Sequence, residues 1–158
     1  GDKCAAWTQK LEKEKTLEHV RQRAEAGDVN AMTKLFYMYT DGEAVDMNAA
    51  FQWVKRAADL DNARGMTLVA VCHLHAKGTP RDDHTGLIWM AQAAALGSEH
   101  ACYMLANAYH NGKYGLRKNP SQFAHWAAKM RRHAGNDICK CSEENRARIE
   151  GYEAALAA

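Results

Sequence analysis

The apolar residues of this chain recur at helical spacing in two matching segments, residues 31–42 and 101–112. Each segment begins with Ala, places Leu four residues later and Tyr eight residues later, and ends on Gly. Steps of four put side chains on one stripe of an amphipathic helix. Residues 65–73 keep this spacing, with Gly65 in place of the first Ala and His73 in place of the Tyr. The pattern therefore predicts one similar helix in each of the three segments.

Three tryptophans mark a second element with the same period. Trp53, Trp89 and Trp126 lie 36 and 37 residues apart, and Ala-Ala follows the first two at residues 57–58 and 93–94. Self-similarity at this period is typical of repeat arrays built from helix pairs. We predict first helices near 28–40, 62–76 and 98–111, and second helices near 47–60, 83–96 and 120–133.

Short polar side chains and glycines mark where these helices begin and end. Asp, Asn and Ser side chains accept hydrogen bonds from the first backbone amides of a helix. The expected N-caps are Asp28, Asp61 and Ser98 for the first helices, and Asp46 and Asn119 for the second helices. Glycine readily takes the left-handed conformation that ends a helix, which we expect at Gly42, Gly78 and Gly112.

The repeats form one predicted domain that spans residues 1–158. Residues 3–26 resemble a degenerate opening repeat, and three full repeats cover 28–61, 62–97 and 98–135. A further helix is expected at 142–157, where two glutamates in the first turn suit the positive end of the helix dipole. Because a stack of repeats needs a polar end, we predict that this helix caps it.

Composition narrows the class of protein further. Alanine is abundant while the chain has only two prolines and three phenylalanines, which favours helix over strand. The sequence contains no run of 18 apolar residues and no secretory signal peptide, so we expect no membrane-spanning helix. The net charge of +2 is too small to argue for nucleic acid as a partner, and we expect none.

The charges are distributed unevenly along the chain. From His100 to Asn136 there is no acidic residue, and the cations there are Lys113, Arg117, Lys118, Lys129, Arg131 and Arg132. Residues 41–61 instead carry five acidic residues against Lys55 and Arg56. The simpler interpretation is a set of solvated faces, and the functional interpretation is a basic end that meets an acidic partner.

Five cysteines are present, and an odd number leaves at least one thiol unpaired within a monomer. Cys72 and Cys102 fall inside helical patterns, where cysteine behaves as a small apolar residue, so we expect buried thiols there. Cys139 and Cys141 with His133 nearby make too small a set for a tetrahedral zinc site, and we expect no bound zinc. The candidates for disulfides outside the cytosol are Cys4, Cys139 and Cys141.

These motifs resemble the Sel1-like repeats, which are relatives of the tetratricopeptide repeat. The family pattern is a first helix with Ala, Leu and Tyr at steps of four, a Gly-rich loop, and a second helix with Ala-x-x-Trp followed by Ala-Ala. The third copy departs from it at Phe123 and Met130, and the cysteine pairs of the disulfide-rich secreted branch are missing. The first copy matches at Ala31, Leu35, Tyr39, Gly42, Ala50, Trp53, Ala57 and Ala58.

The resemblance implies an all-α fold, an α/α superhelical solenoid of about three repeats that binds other proteins and needs no cofactor. Small stand-alone Sel1-like proteins resemble immunity proteins that neutralise antibacterial toxins, including phospholipase effectors. We therefore expect a protein partner and a periplasmic or secreted location, with a cytoplasmic location as the alternative. No catalytic motif such as Gly-x-Ser-x-Gly or His-Glu-x-x-His is present, so we expect no enzyme. The alternative function is a metal-binding or redox protein that uses the His and Cys groups near the C-terminal end.

The resemblance also indicates which side of the first helices meets the partner, and we call this side the inner face. Its predicted lining residues are Asn30, Thr33, Tyr37, Thr40 and Asp41, then Arg64, Thr67, Val71, Leu74 and His75, then His100, Tyr103, Asn107, His110 and Asn111. Tyr and Arg are common interface anchors. The expected partner-binding residues are Tyr37, Asp41, Arg64, His75, His100, Tyr103, Asn107 and His110, with Arg131 and Arg132 steering the partner.

The remaining prominent side chains have a simpler interpretation. His73 stands at the Tyr position of the family pattern, so we expect a core residue with its hydrogen bonds satisfied. Trp53, Trp89 and Trp126 recur at a fixed place in each second helix. We expect these three rings to lie in the core rather than to form a ligand cage.

Overall fold

A computed structural model of the chain describes residues 2–42, 45–133 and 142–158. These residues form helices and no β-strand: α1 (Asp2–Glu25), α2 (Val29–Asp41), α3 (Met47–Asp59), α4 (Ala63–His75), α5 (Asp83–Ala95), α6 (Glu99–Asn111), α7 (Pro120–Arg132) and α8 (Ser142–Ala157). The bounds of α2 to α7 agree with the predicted ranges to within one residue, so the all-α prediction is confirmed. Within the described residues no helix combines the length and apolar character needed to cross a bilayer.

The helices stack in chain order. α2 packs with α3, α4 with α5 and α6 with α7, and α3 and α5 also pack against the first helix of the next pair. α8 is the exception, because it packs mainly against α6. Packing between neighbouring helix pairs is the arrangement of an α/α solenoid.

The first helix is continuous over residues that the sequence indicated as a degenerate opening repeat. Only its last turns are buried, where Val20 and Ala24 pack with Leu35 of α2. Its first half is exposed, and Trp7 keeps 68% of its surface in solvent. α1 therefore covers the end of the stack with its C-terminal half, while the repeat boundaries themselves stay a prediction.

Small residues set the spacing between repeats. A Cβ atom added at Gly65 would lie 2.8 Å from the Cβ atom of Ala57 and 2.9 Å from the backbone nitrogen of Ala58. Both distances are shorter than a van der Waals contact, so only glycine fits where α4 crosses α3. The Ala pairs of α3 and α5 are fully buried. The Ala pair after each of the first two tryptophans is therefore a packing feature of the stack.

Four of the five predicted N-caps are confirmed. The prediction of Asp61 is wrong, because the side chain of Asn62 caps α4 and accepts a hydrogen bond from the Gly65 amide at 2.8 Å. Asp61 instead takes a left-handed backbone conformation, with φ of 57°, in the joint before the helix. The confirmed caps are Asp28, Asp46, Ser98 and Asn119.

The predicted left-handed glycines have three different outcomes. Gly112 ends α6 with φ of 69°, as predicted, whereas Gly42 has φ of −84° and the prediction there is wrong. After α4 the left-handed cap is Ala76, and Gly78 takes φ of 70° two residues later. A Cβ atom at Gly78 would lie 2.1 Å from the carbonyl oxygen of Met47, so close approach also requires glycine there.

The repeat tryptophans lie at the edge of the core, so the prediction of core placement is wrong in part. Their rings are partly buried and pack against the two apolar clusters of the stack. A cation sits over each ring at a distance that allows a cation–π interaction. The distances to the ring centroids are 4.6 Å for Arg56 over Trp53, 5.2 Å for Lys55 over Trp89 and 5.1 Å for Lys129 over Trp126.

The prediction that His73 is a satisfied core residue is wrong. Its ring is half-buried, and its Nδ1 atom is buried without a hydrogen-bond partner among the described residues. The ring meets Phe51 edge-on, with centroids 5.7 Å apart. Aromatic packing therefore positions this histidine, where the family pattern has a tyrosine.

Candidate protein-binding surface

A partly exposed aromatic–cation pair joins the first two repeats on the inner face. Tyr37 of α2 is 39% exposed, and the Arg64 guanidinium of α4 lies 5.6 Å from its ring centroid. Phe36, which is buried, meets the Tyr37 ring edge-on at 5.3 Å and holds it in place. An arginine stacked on a ring still presents its N–H groups in the guanidinium plane. The pair therefore offers both apolar area and hydrogen-bond donors.

Asp41 lies at the exposed end of α2, beside an open cavity of about 740 Å³ between α1 and α2. Two lysines of α1 line the same cavity as Asp41, so the local charge is mixed rather than purely acidic. The cavity is lined by Lys10, Lys13, Glu14, Leu17, Met38, Tyr39, Asp41 and Gly42.

Three predicted lining residues of the first two repeats are buried, so their exposure on the inner face was wrongly predicted. The Thr67 hydroxyl lies 3.0 Å from the Ser98 hydroxyl at the start of α6, and it also donates to a backbone carbonyl of its own helix. The Leu74 side chain faces α5, where it lies 2.8 Å from the Cβ position of Gly86. Thr33 is buried in the first repeat at the position equivalent to Thr67. These positions therefore serve the packing of the stack.

His75 lies exposed at the end of α4 and connects the second repeat to the third. Its ring meets that of Tyr114 edge-on, with centroids 6.1 Å apart, and Tyr114 belongs to the loop after α6. Partial burial of the ring, with Lys77 and Arg81 nearby, lowers the pKa of His75 below its ordinary value of 6.5. His75 is therefore neutral at neutral pH and can donate one hydrogen bond and accept another.

The inner face of the third repeat is covered by α8. Glu99 of α6 is buried and accepts two hydrogen bonds from the Arg146 guanidinium, both of 2.9 Å. Further along, the Arg148 guanidinium donates to the Tyr103 hydroxyl at 3.3 Å. The contacts advance in the same direction along both helices, so α8 runs parallel to α6. α8 thus occupies the surface that the sequence assigned to a partner.

This packing corrects three predictions about the third repeat. Tyr103 is only 4% exposed, so its predicted exposure is wrong while α8 covers it. His110 stacks on Tyr152 of α8, with ring centroids 3.9 Å apart and planes inclined by 14°. His100 is partly buried and lies 3.4 Å from the Asn145 side chain, measured between Nδ1 and Nδ2. Asn107, by contrast, is hydrogen-bonded within its own helix. The Asn111 side-chain amide donates to the backbone carbonyl oxygen and to the side-chain oxygen of Asn107.

The two arginines predicted to steer a partner differ in their surroundings. Both are exposed at the end of α7, and Arg131 forms an ion pair with Glu153 of α8. Lys129 of the same basic run lies over the Trp126 ring. Part of the positive charge of the third repeat is therefore compensated within the chain.

Sequence reasoning missed the residues that hold α8, among them Glu99, Arg146, Ile149 and Tyr152. Ile149 is the fully buried apolar residue of α8. A usable signal existed, because Arg146, Ile149 and Glu153 follow helical spacing on one face. That pattern predicts a face for α8, yet it does not say which helix the face contacts.

The thiols fit the predictions where the structure describes them. Cys72 and Cys102 are fully buried, as predicted, and Cys4 is exposed. Burial raises the pKa of the Cys72 thiol to about 11. Cys139 and Cys141 lie outside the described residues, so their redox and metal chemistry stays a prediction. In the described part of the chain, no group of three or more His, Cys, Asp or Glu residues is arranged to hold a metal ion.

Solved structures with similar folds are Sel1-like repeat proteins. A Sel1 repeat protein from Oxalobacter formigenes is 28% identical, with a TM-score of 0.68 over 74% of this chain and 47% of that chain. The c5321 protein, a protective antigen present in uropathogenic Escherichia coli strains and displaying an SLR fold, is 26% identical, with a TM-score of 0.66 over 73% of this chain and 25% of that chain. Helicobacter pylori cysteine rich protein B shares the fold at 22% identity, with a TM-score of 0.60 over 79% and 93% of the two chains.

The chain spans about half the length of the Oxalobacter protein and a quarter of the Escherichia protein, at 47% and 25%. No curated protein matches it. The sequence pattern of the Sel1 repeat matches residues 29–62, 63–98 and 99–130, which contain the helix pairs α2–α3, α4–α5 and α6–α7. Sel1 repeats are commonly scaffolds for protein interaction and generally not enzymes. With three repeats over more than half of its length, the chain belongs to the Sel1 repeat family.

Proposed function

We propose that this chain is a non-enzymatic scaffold that binds a partner protein on the inner face of its first two repeats. The observation that carries the proposal is the contact between exposed Tyr37 and half-buried Arg64, which bridges α2 and α4. Asp41 and His75 lie at the ends of the same two helices and extend the site. The third repeat contributes less to this surface than its sequence indicated, because α8 covers it.

The residue types at this pair support a role in binding. Tyrosine and arginine are over-represented among the few side chains that dominate interface energies. Tyr37 is held by Phe36 on one side and by Arg64 on the other, so little side-chain entropy is lost when a partner covers it.

In this proposal the partner is an antibacterial toxin, such as a phospholipase effector, and the chain acts as its immunity protein in the periplasm or outside the cell. The support is the resemblance of Sel1-like repeat proteins to such neutralisers. Co-expression with a candidate toxin tests it, because the chain should restore growth while the Tyr37→Ala/Arg64→Ala variant should not. Equal protection by the two proteins would count against this site.

Arg132 of α7 supports a steering role that is narrower than the sequence implied. Arg131 and Arg132 are both exposed, but the charge of Arg131 is paired with Glu153. We therefore assign steering of an acidic partner surface to Arg132. Replacing it by Glu should slow association more at low salt than at 0.15 M salt, where charges are screened over about 8 Å.

Site-specific photo-crosslinking in the native cell tests the binding surface and captures the partner in the same experiment. A photoreactive phenylalanine analogue at Tyr37 should yield one dominant cross-linked protein. The matched control places it at Ile88, a 46% exposed residue of the second helix α5. A product of the same identity and yield at both positions would show that the inner face has no special role.

A further inference from the structure

The helix α8 behaves as a ligand of its own chain, and it shows what the surface beneath it recognises. We call this surface the α6 groove, and it consists of Glu99, His100, Tyr103, His110 and Arg131. We infer that the partner inserts an amphipathic helix of the same chemistry into the α6 groove and displaces α8. The inference rests on the proposed function, because it names what the partner presents to the third repeat.

The chemistry of the groove is specific at one end because of Glu99. This carboxylate is only 2% exposed, and the bidentate Arg146 guanidinium compensates its charge. A buried carboxylate without a cation is strongly unfavourable, and planar two-bond pairing selects arginine over lysine. Any helix that replaces α8 must therefore bring an arginine to this position.

The rest of the groove defines the order of the other side chains. Ile149 fills the apolar middle, and Tyr152 stacks on His110. Glu153 pairs with Arg131 at the far end. A helix bound in a groove is recognised through anchors about one turn apart on one face. The expected partner helix thus carries arginine, then an aliphatic residue three positions later, an aromatic six later and an acid seven later, as at residues 146, 149, 152 and 153.

α8 buries few of its side chains, so another helix can replace it. Among the residues of α8 whose burial the structure describes, only Asn145 and Ile149 are buried, and Leu156 is 50% exposed. Gly151 lies in the middle of the helix with no atom within 4 Å of its Cβ position, and glycine lowers helical preference. α8 packs mainly on α6, with a smaller contact to α7 through the Arg131–Glu153 ion pair.

A partner helix is a better occupant than the α8 of a second copy. The resident helix is covalently attached, which gives it an effective concentration on the order of millimolar. An identical helix from another molecule makes the same contacts and cannot compete at ordinary concentrations. A partner protein that also contacts Tyr37 and Arg64 gains interactions that α8 does not make.

A labelled peptide with the sequence of residues 143–158 tests the inference on the full-length chain. Fluorescence anisotropy should show at least about tenfold tighter binding to the Tyr152→Ala chain than to the wild type, because the resident helix competes less well. Gly151→Ala should have the opposite effect, since it strengthens α8 without touching the groove. The matched control is Glu150→Ala, at an exposed position of α8, which should bind the peptide as the wild type does.

A second peptide tests the requirement for arginine. Replacing the residue equivalent to Arg146 by Ala in the peptide should weaken binding to the Tyr152→Ala chain by at least about tenfold, the loss expected for a charged hydrogen-bonded pair. Circular dichroism checks that each chain is folded. If Tyr152→Ala does not fold, the comparison of Gly151→Ala with the wild type still tests the inference. Equal peptide affinities for all chains, or a Tyr152→Ala dimer in light scattering, would overturn the inference. Because no partner is present, these results are independent of the photo-crosslinking test of Tyr37.

Discussion

Aromatic rings at the edge of the core meet both the apolar interior and a charged side chain. Trp89 packs against the apolar cluster on one side, and the Lys55 ammonium lies 5.2 Å from its centroid on the other. A cation over an indole contributes roughly 0.5–1 kcal/mol at exposed sites. Each repeat tryptophan therefore stabilises the stack through burial of one face and through electrostatic attraction at the other.

Trp89→Ala should lower the free energy of unfolding by about 2–3 kcal/mol, less than the ~3–5 kcal/mol typical of a fully buried tryptophan. The reason is that the ring is only partly buried, so a smaller cavity forms. Urea denaturation measures the change. The matched control is Trp7→Ala, which is 68% exposed and should change stability by less than about 0.5 kcal/mol. Equal losses of unfolding free energy for the two variants would contradict the placement of Trp89 against the core.

Thiol reactivity should follow burial. Cys4 is exposed and should react with iodoacetamide in the native protein within minutes, whereas Cys72 and Cys102 should not. The pKa of Cys72 is raised to about 11, so its thiol stays protonated and unreactive until the pH approaches that value. Peptide mass spectrometry of the alkylated protein at pH 8 gives the modified positions. Labelling of Cys72 in the native protein at the same rate as Cys4 would contradict the burial of Cys72 in the core.

At the scale of elements, the helices begin where short polar side chains accept hydrogen bonds from backbone amides. Asn62→Ala should lower the free energy of unfolding by about 1 kcal/mol, since its side chain caps α4. Asp61→Gly should be neutral or slightly stabilising, because Asp61 has a left-handed backbone and makes no cap. Thermal unfolding of the two variants compares them directly. A larger loss at 61 than at 62 would place the cap where the sequence first indicated it.

The helix pairs could be predicted closely because each local signal agreed with the period of the repeat. Apolar steps of four, caps and Ala pairs place α2 to α7 to within one residue. The left-handed end of α4 could not be predicted, because Ala76 takes a conformation that alanine rarely adopts. Local sequence does not separate Asp61 from Asn62, because both residues are good caps, and only the packing of Gly65 against α3 decides between them.

At the scale of the whole molecule, the position of α8 decides which part of the inner face is open. Its sequence predicts a helix, but a helix with one fully buried apolar residue carries little information about where it packs. The prediction that Tyr103 is exposed is wrong for this reason, because Arg148 and the body of α8 cover it. Tyr37 is exposed and Arg64 lies over its ring, on a part of the inner face that α8 does not cover, since α8 is parallel to α6 and lies on the third repeat.

The central claim is that the partner binds the inner face at Tyr37 and Arg64. The most direct test is isothermal titration calorimetry with the purified partner that photo-crosslinking identifies. The Tyr37→Ala/Arg64→Ala variant should bind at least about tenfold more weakly than the wild type, as expected when interface anchors are removed. The Ile88→Ala control on α5 should keep the wild-type Kd, and circular dichroism should show all three chains folded. An unchanged Kd for the double variant would contradict the account and place the interface on another surface.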